Sequence, residues 1–256
     1  MDRTSDRPLT EVLIVYAAVT AITAGVTWLP RALPGMTEYV TLLVGATFLL
    51  AAVRLARRRP GGMQQMGIAL GGLLEPPDAD DPRPPGPLGL YDLARALRAA
   101  LPSGARETAI ALAVAAVVFP PFVLGYVYWH QPAHPFVFRL PADFAELAAT
   151  HLLVIALPEE VFFRGYVQTR LGDRFTSRPR WLGGLVDPRA LVLSAALFAA
   201  IHFVSIRDPE RLAVFFPGLL FGLLRAWRGG VGAAILLHAL SNLLAELLQR
   251  GFSAPP

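Results

Sequence analysis

Six residues combine types and spacings that can do chemistry. Glu159 and Glu160 stand together in the run Leu157-Pro158-Glu159-Glu160-Val161-Phe162-Phe163-Arg164-Gly165, inside a stretch otherwise apolar enough to lie in a membrane. Charged side chains at membrane depth cost roughly 2.5 to 3.5 kcal/mol each even on insertion scales, so they persist when paired and facing a bundle interior. On an α-helix Glu160 and Arg164 are i and i+4 and share a face, whereas Glu159 points about 100° away. Glu160 and Arg164 are therefore expected to neutralise each other as a structural ion pair. That leaves Glu159 facing a polar cavity as the candidate for chemistry. Two later apolar runs carry the remaining candidates: His202 follows Phe198 by four residues, and Asn242 follows His238 by four, one helical turn on one face. A carboxylate and an imidazole at one depth can together take a proton from water, and a second imidazole with a carboxamide can donate to a developing oxyanion. That is equipment for hydrolysing an acyl bond.

The elements that must position these groups are membrane helices. Of 256 residues 54% are hydrophobic and 16% charged, mean hydropathy is +0.49, and this composition is that of an all-α, polytopic membrane helix bundle. Apolar runs at about 12–29, 37–53, 108–129, 143–171, 190–206, 211–226 and 231–248 give about seven spans. The first run is expected to be a span and not a cleaved leader, because it lacks a small-residue cleavage site and a second run follows at once. The segment from Arg54 to Arg106, rich in Pro and Gly with an acidic knot at Asp78, Asp80 and Asp81, is expected to be a polar, partly irregular loop, with an amphipathic surface helix over 90–101. Two units follow: residues 1–107, with two spans and this loop, and residues 108–256, a bundle holding the candidate site. Depth is estimated at 1.5 Å per residue from the inner span ends. Glu159 and His202 both come out roughly 18 Å in, and His238 at roughly 11 Å.

With no cysteine, disulfides, thiol nucleophiles and cysteine-ligated metals are excluded. The basic pI near 9.9 comes from 23 arginines and no lysine, a bias of GC-rich, bacterial coding. The arginines sit at the ends of apolar runs, where topology puts them, and give no sign of a nucleic-acid partner. With the N-terminus cytoplasmic, 17 arginines fall inside and 5 outside, and all four tryptophans (Trp28, Trp129, Trp181, Trp227) fall at span ends. The expected placement is a multi-pass inner-membrane protein with its C-terminus outside.

Singly, these residues have plainer roles. An i,i+4 pair such as Glu160 and Arg164 is a common structural device. A lone membrane histidine such as His151 is ordinarily a packing residue, His130 and His134 fall in an external loop, and Phe198 is by default an apolar face. Pro217-Gly218 is expected to kink a span. A zinc bound by Glu159, His202 and His238 is the competing chemistry. The absence of a HExxH pair speaks against it. A transporter using the ion pair in a proton path is the competing class, but no internal repeat is present in the sequence.

The three motifs Glu159-Glu160…Arg164, Phe198…His202 and His238…Asn242 resemble EExxxR, FxxxH and HxxxN of the CPBP family (CAAX-protease and bacteriocin-processing, or Abi) of intramembrane proteases, over roughly 142–248. The resemblance implies an intramembrane glutamic endopeptidase: Glu159 and His202 activating water, His238 and Asn242 forming the oxyanion hole, Glu160 and Arg164 bracing the site, with no metal and no cofactor. The implied partners are the bilayer and a membrane-anchored protein or peptide substrate. Specific alternatives are a sorting-type protease that processes C-terminal anchors of bacterial surface proteins, and a non-catalytic immunity or scaffold protein.

Reporter fusions test the orientation. Fusions within 54–106 and 172–189 are expected to report cytoplasm and a C-terminal fusion the outside; an external signal from the long loop would reverse the assignment.

Overall fold

The computed structural model describes residues 8–70, 93–175, 180–181 and 184–253. The acidic knot at Asp78, Asp80 and Asp81 lies outside them. The described residues form a helical bundle, with a two-residue antiparallel pairing of Arg180–Trp181 (β1) with Gly184–Leu185 (β2). Five helical stretches are long and apolar enough to cross a membrane: Pro8–Ala32 (α1), Pro34–Arg57, Ala96–His130, Pro188–Ser205 (α8) and Gly232–Ser253 (α10). Many large apolar side chains on them face outward, Val117 and Leu124 both at 73% exposure, as a lipid-facing surface requires. The chain is a multi-pass membrane protein.

Pro34–Arg57 is a 3-10 turn, Pro34–Tyr39, leading into Val40–Arg57 (α2). After the short Gly62–Gln65 (α3), the helix Leu93–His130 (α4) runs unbroken through Pro102 and through Pro120 and Pro121. The amphipathic surface helix expected at 90–101 is therefore, over its described part, the first turns of α4. The 62–70 stretch differs from its expectation too. Met63, Met66 and Ile68 are buried in the main core. Flanking arginines and the Pro-Gly context mark it as loop in sequence, but its apolar residues fold back under the bundle.

The two glutamates sit on a continuous helical rod over 144–174. Its α-helical parts, Phe144–Ala149 (α5), Leu157–Glu160 (α6) and Gln168–Arg174 (α7), are separated by π-helical segments Thr150–Ala156 and Val161–Val167. Pi-helical turns are rare and concentrate at functional sites. Here they bracket the Glu159-Glu160 turn on both sides. α2 crosses the rod closely because Gly45 has no side chain: a Cβ there would lie 2.3 Å from the Val154 carbonyl oxygen.

The other two expected spans are the rod, which carries charges, and Phe215–Arg228 (α9). At 14 residues, α9 is about 21 Å long. The turn after it is held against another part of the chain. It docks on the folded-back 62–70 segment, with Val231 N donating to Gly67 O and Arg225 donating to Gln65 O and Met66 O. Arg228 ties the same end to Glu107 of α4 at 2.6 Å.

The N-terminal pair is fixed to the rod by charge. Glu11 of α1 accepts from Arg59 at 2.7 Å, from Arg170 at 2.8 Å and from the Tyr166 hydroxyl at 3.1 Å, while Arg170 also pairs with Asp173. Tyr16 further ties α1 to α8 through the Leu197 carbonyl. Removing Glu11 leaves the Arg170 guanidinium, 5% exposed, with one of its two counter-charges. Glu11→Ala is expected to destabilise the purified protein by about 1 to 3 kcal/mol, visible in detergent melting; an unchanged melting temperature would show that the cluster carries no stability.

Candidate active site

Glu159 and Glu160 leave the rod in different directions. Glu160 is fully buried and stands 3.2 Å from Arg164 Nε, which is also fully buried. The approach is too oblique for a hydrogen bond, so the contact is an ion pair held by charge. Arg164 is placed by its other contacts. Its Nη2 donates to the Gly218 carbonyl at 3.0 Å, and its guanidinium lies over the Phe198 ring at 4.2 Å and toward Phe221 at 5.5 Å. Gly218 is where α9 comes close: a Cβ there would sit 3.1 Å from Arg164 Nη2 and 3.3 Å from the Phe198 ring. Pro217 falls in the first turn of α9, where proline is tolerated, so the expected kink is replaced by a helix start.

Glu160 has a second partner. Its Oε1 accepts a hydrogen bond from His238 Nδ1 at 2.9 Å, linking the rod to α10. A carboxylate only accepts, so His238 carries its proton on Nδ1 and presents Nε2 to the cavity. The Phe221 ring stacks on the His238 imidazole, with centroids 4.9 Å apart and planes 15° apart. His202 is fixed in the same manner. Its Nδ1 donates to the Phe198 carbonyl at 2.8 Å, which leaves Nε2 facing inward with its lone pair.

Both Nε2 atoms converge on one oxygen. Glu159 Oε2 lies 3.8 Å from His202 Nε2 and 3.8 Å from His238 Nε2, and it has no hydrogen-bond partner in the protein. The three side chains are mostly enclosed, at 12% exposure for Glu159, 22% for His202 and 7% for His238. They line a cavity of about 520 Å³ together with Asn242, and α1 and α2 supply its opposite wall through Thr23, Thr27, Val44 and Phe48. Among the described residues, no cluster of three or more His, Asp and Glu side chains is arranged to hold a metal ion.

The motif residues Glu159, Glu160, Arg164, Phe198, His202, His238 and Asn242 thus come together around one cavity and its floor. His238 is at the level of the other two, in place of the shallower depth expected for it. His130 and His134 stay away from the cavity, whereas His151 lines it. Phe221 and the contact of Glu160 with His238 were not foreseen; a phenylalanine in an apolar run carries no signal of its own.

Residues 141–244 match the family model described as Type II CAAX prenyl endopeptidase Rce1-like. The chain carries a CPBP-family domain. No curated protein and no solved structure matches it significantly. The family is one of membrane endopeptidases, and the CPBP domain holds all the residues of the three motifs, while α1, α2 and α4 lie wholly outside the match.

The charge geometry separates the two glutamates. Glu160→Gln strips the counter-charge from a fully buried arginine and should lower stability by about 3 to 5 kcal/mol. Glu159→Gln breaks no hydrogen bond of Oε2 within the protein and should melt near the wild-type temperature. Equal melting of the two variants would show that Glu160 is not the structural partner.

Proposed function

We propose that this membrane endopeptidase hydrolyses a peptide bond within its cavity using water activated between Glu159 and His202. The observation that carries this reading is the convergence of His202 Nε2 and His238 Nε2 on the unpartnered Glu159 Oε2, each at 3.8 Å. Two groups 3.8 Å apart leave room for a water oxygen that bonds to both. The carboxylate or the His202 lone pair takes its proton as the oxygen attacks the substrate carbonyl. His238, with Nδ1 held by Glu160, donates from Nε2 in its imidazolium form to the oxyanion, and the Asn242 carboxamide supplies a second donor. The proton taken from water is then delivered to the leaving amine, and the products are a carboxylate and an amine.

The substrate is a membrane-anchored protein or peptide. The cavity is bordered by the far end of α1, the start of α2, the end of α8, the Pro209–Val214 turn and the last turns of α10, through Thr27, Val40, Ser205, Arg211 and Gln249. The arginine distribution puts this face outside the cytoplasm. An opening there favours substrates whose cleavage site is presented at the outer leaflet, such as C-terminal anchors of surface proteins.

Membrane proteomes of a wild-type strain and a Glu159→Gln strain are expected to differ by proteins that keep an uncleaved segment in the variant. With a substrate so identified, Asn242→Ala should reduce kcat by roughly 10²- to 10³-fold with little change in KM, and activity should persist after thorough chelation. Full activity of Glu159→Gln, or chelator inactivation reversed by added zinc, would sink the mechanism.

A further inference from the structure

Beyond the catalytic level the cavity contains a second polar level that the proposed chemistry does not use. His151 stands eight residues ahead of Glu159 on the rod and lines the same cavity, yet neither of its ring nitrogens is exposed or has a partner in the protein. Thr23 of α1 faces the same space with its hydroxyl unpartnered and the residue 2% exposed. Glu246 lies eight residues beyond His238 on α10, also on the cavity, and accepts from Arg250 Nε at 2.7 Å. The start of the rod and the end of α10 share one face, since Asp143 stands 3.6 Å from Arg250 and Val137 N donates to Gly251 O. Eight residues rise about 12 Å along α10 and less along the π-helical turns of the rod. His151 and Glu246 are therefore both displaced toward this face from the level of Glu159 and His238.

Leaving an imidazole enclosed without a partner is costly, and the same cavity also holds the unpartnered Thr23 hydroxyl. We infer that His151, with Thr23, forms a specificity subsite for an uncharged hydrogen-bonding side chain of the substrate, a hydroxyl or a carboxamide. The inference rests on the reading of this cavity as the substrate site. A neutral imidazole offers one donor and one acceptor, and hydroxyls and carboxamides meet either. A carboxylate would be repelled by Glu246, and bringing an unpaired charge into the membrane is the costlier choice. An extended peptide spans 12 Å in three to four residues. The recognised side chain therefore lies three or four positions from the scissile bond.

The test uses the full chain in nanodiscs and fluorescein-labelled apolar peptides that differ only by Gln or Leu at successive positions. Binding is measured to Glu159→Gln protein, with and without a second His151→Leu or His151→Gln change. At one position the Gln peptide is expected to bind about tenfold more tightly than its Leu twin. His151→Leu should abolish that preference, and His151→Gln should restore part of it. Thr23→Val is expected to weaken it and Thr23→Ser to retain it. A preference unchanged by His151→Leu, uniform weakening of every peptide, or no binding of any peptide would overturn the subsite. Discriminating binding without cleavage by the wild-type chain would leave the subsite standing and instead overturn the catalytic reading.

Discussion

A carboxylate removed wholly from solvent inside a membrane protein must be answered by positive charge, and Glu160 is answered twice. Its ion pair with Arg164 and its hydrogen bond from His238 bring the rod, α9 and α10 to one point, because Arg164 in turn donates to Gly218 and lies on Phe198 of α8. Bracing and positioning are thus one arrangement. The anion that neutralises Arg164 also decides which nitrogen of His238 carries the proton and which faces the cavity. In the geometry Glu160 is enclosed and paired, whereas Glu159 keeps an oxygen free. Glu160 nevertheless does more than pair with arginine, since it orients the proposed oxyanion donor.

The rod achieves this with a backbone that is α-helical for only four residues at the glutamates and π-helical on both sides. A π-helical turn holds one more residue than an α-helical turn and is uncommon because its bonding is less favourable. It persists where surrounding packing over-determines it. Gly45 lets α2 press onto the first π-helical segment, and Ile68 of the folded-back stretch lies against Gly165 in the second, where a Cβ would stand 2.3 Å from it. The site is therefore shaped from below by residues that belong to the loop in a purely compositional view.

Polar residues in apolar runs were legible because hydrophobic periodicity makes them stand out, and depth counting brought Glu159 and His202 together because the end of the rod and the start of α8, joined by one short connection, give a common reference level. The same counting failed for His238, since α9 is short and the turn after it rests on Gly67. His151 was hidden for a related reason. At α-helical spacing it is about 80° from Glu159 around the axis, yet His151, Ile155 and Glu159 all line the same cavity from a rod that is π-helical between them. Phe221 and the Met63–Ile68 packing were not legible, because apolar side chains become specific through what they touch, and those contacts join segments far apart in sequence.

The proposed chemistry and the shape of the space around it are encoded in different parts of the chain. The charged floor and the converging nitrogens come from the segment matched by the family model, whereas Thr23, Thr27, Val40, Val44 and Phe48 close the cavity from α1 and α2, before the match begins. Glu11 fastens this wall to the rod at its far end, below the glutamates, through Arg170 and Tyr166. A substitution on the cavity side of α1 or α2 then changes what fits without touching Glu159, Glu160, Arg164 or His238. Substrate choice and catalytic geometry are physically separable in such an arrangement, because one depends on wall volume and local hydrogen bonding and the other on a buried charge network that tolerates no loss.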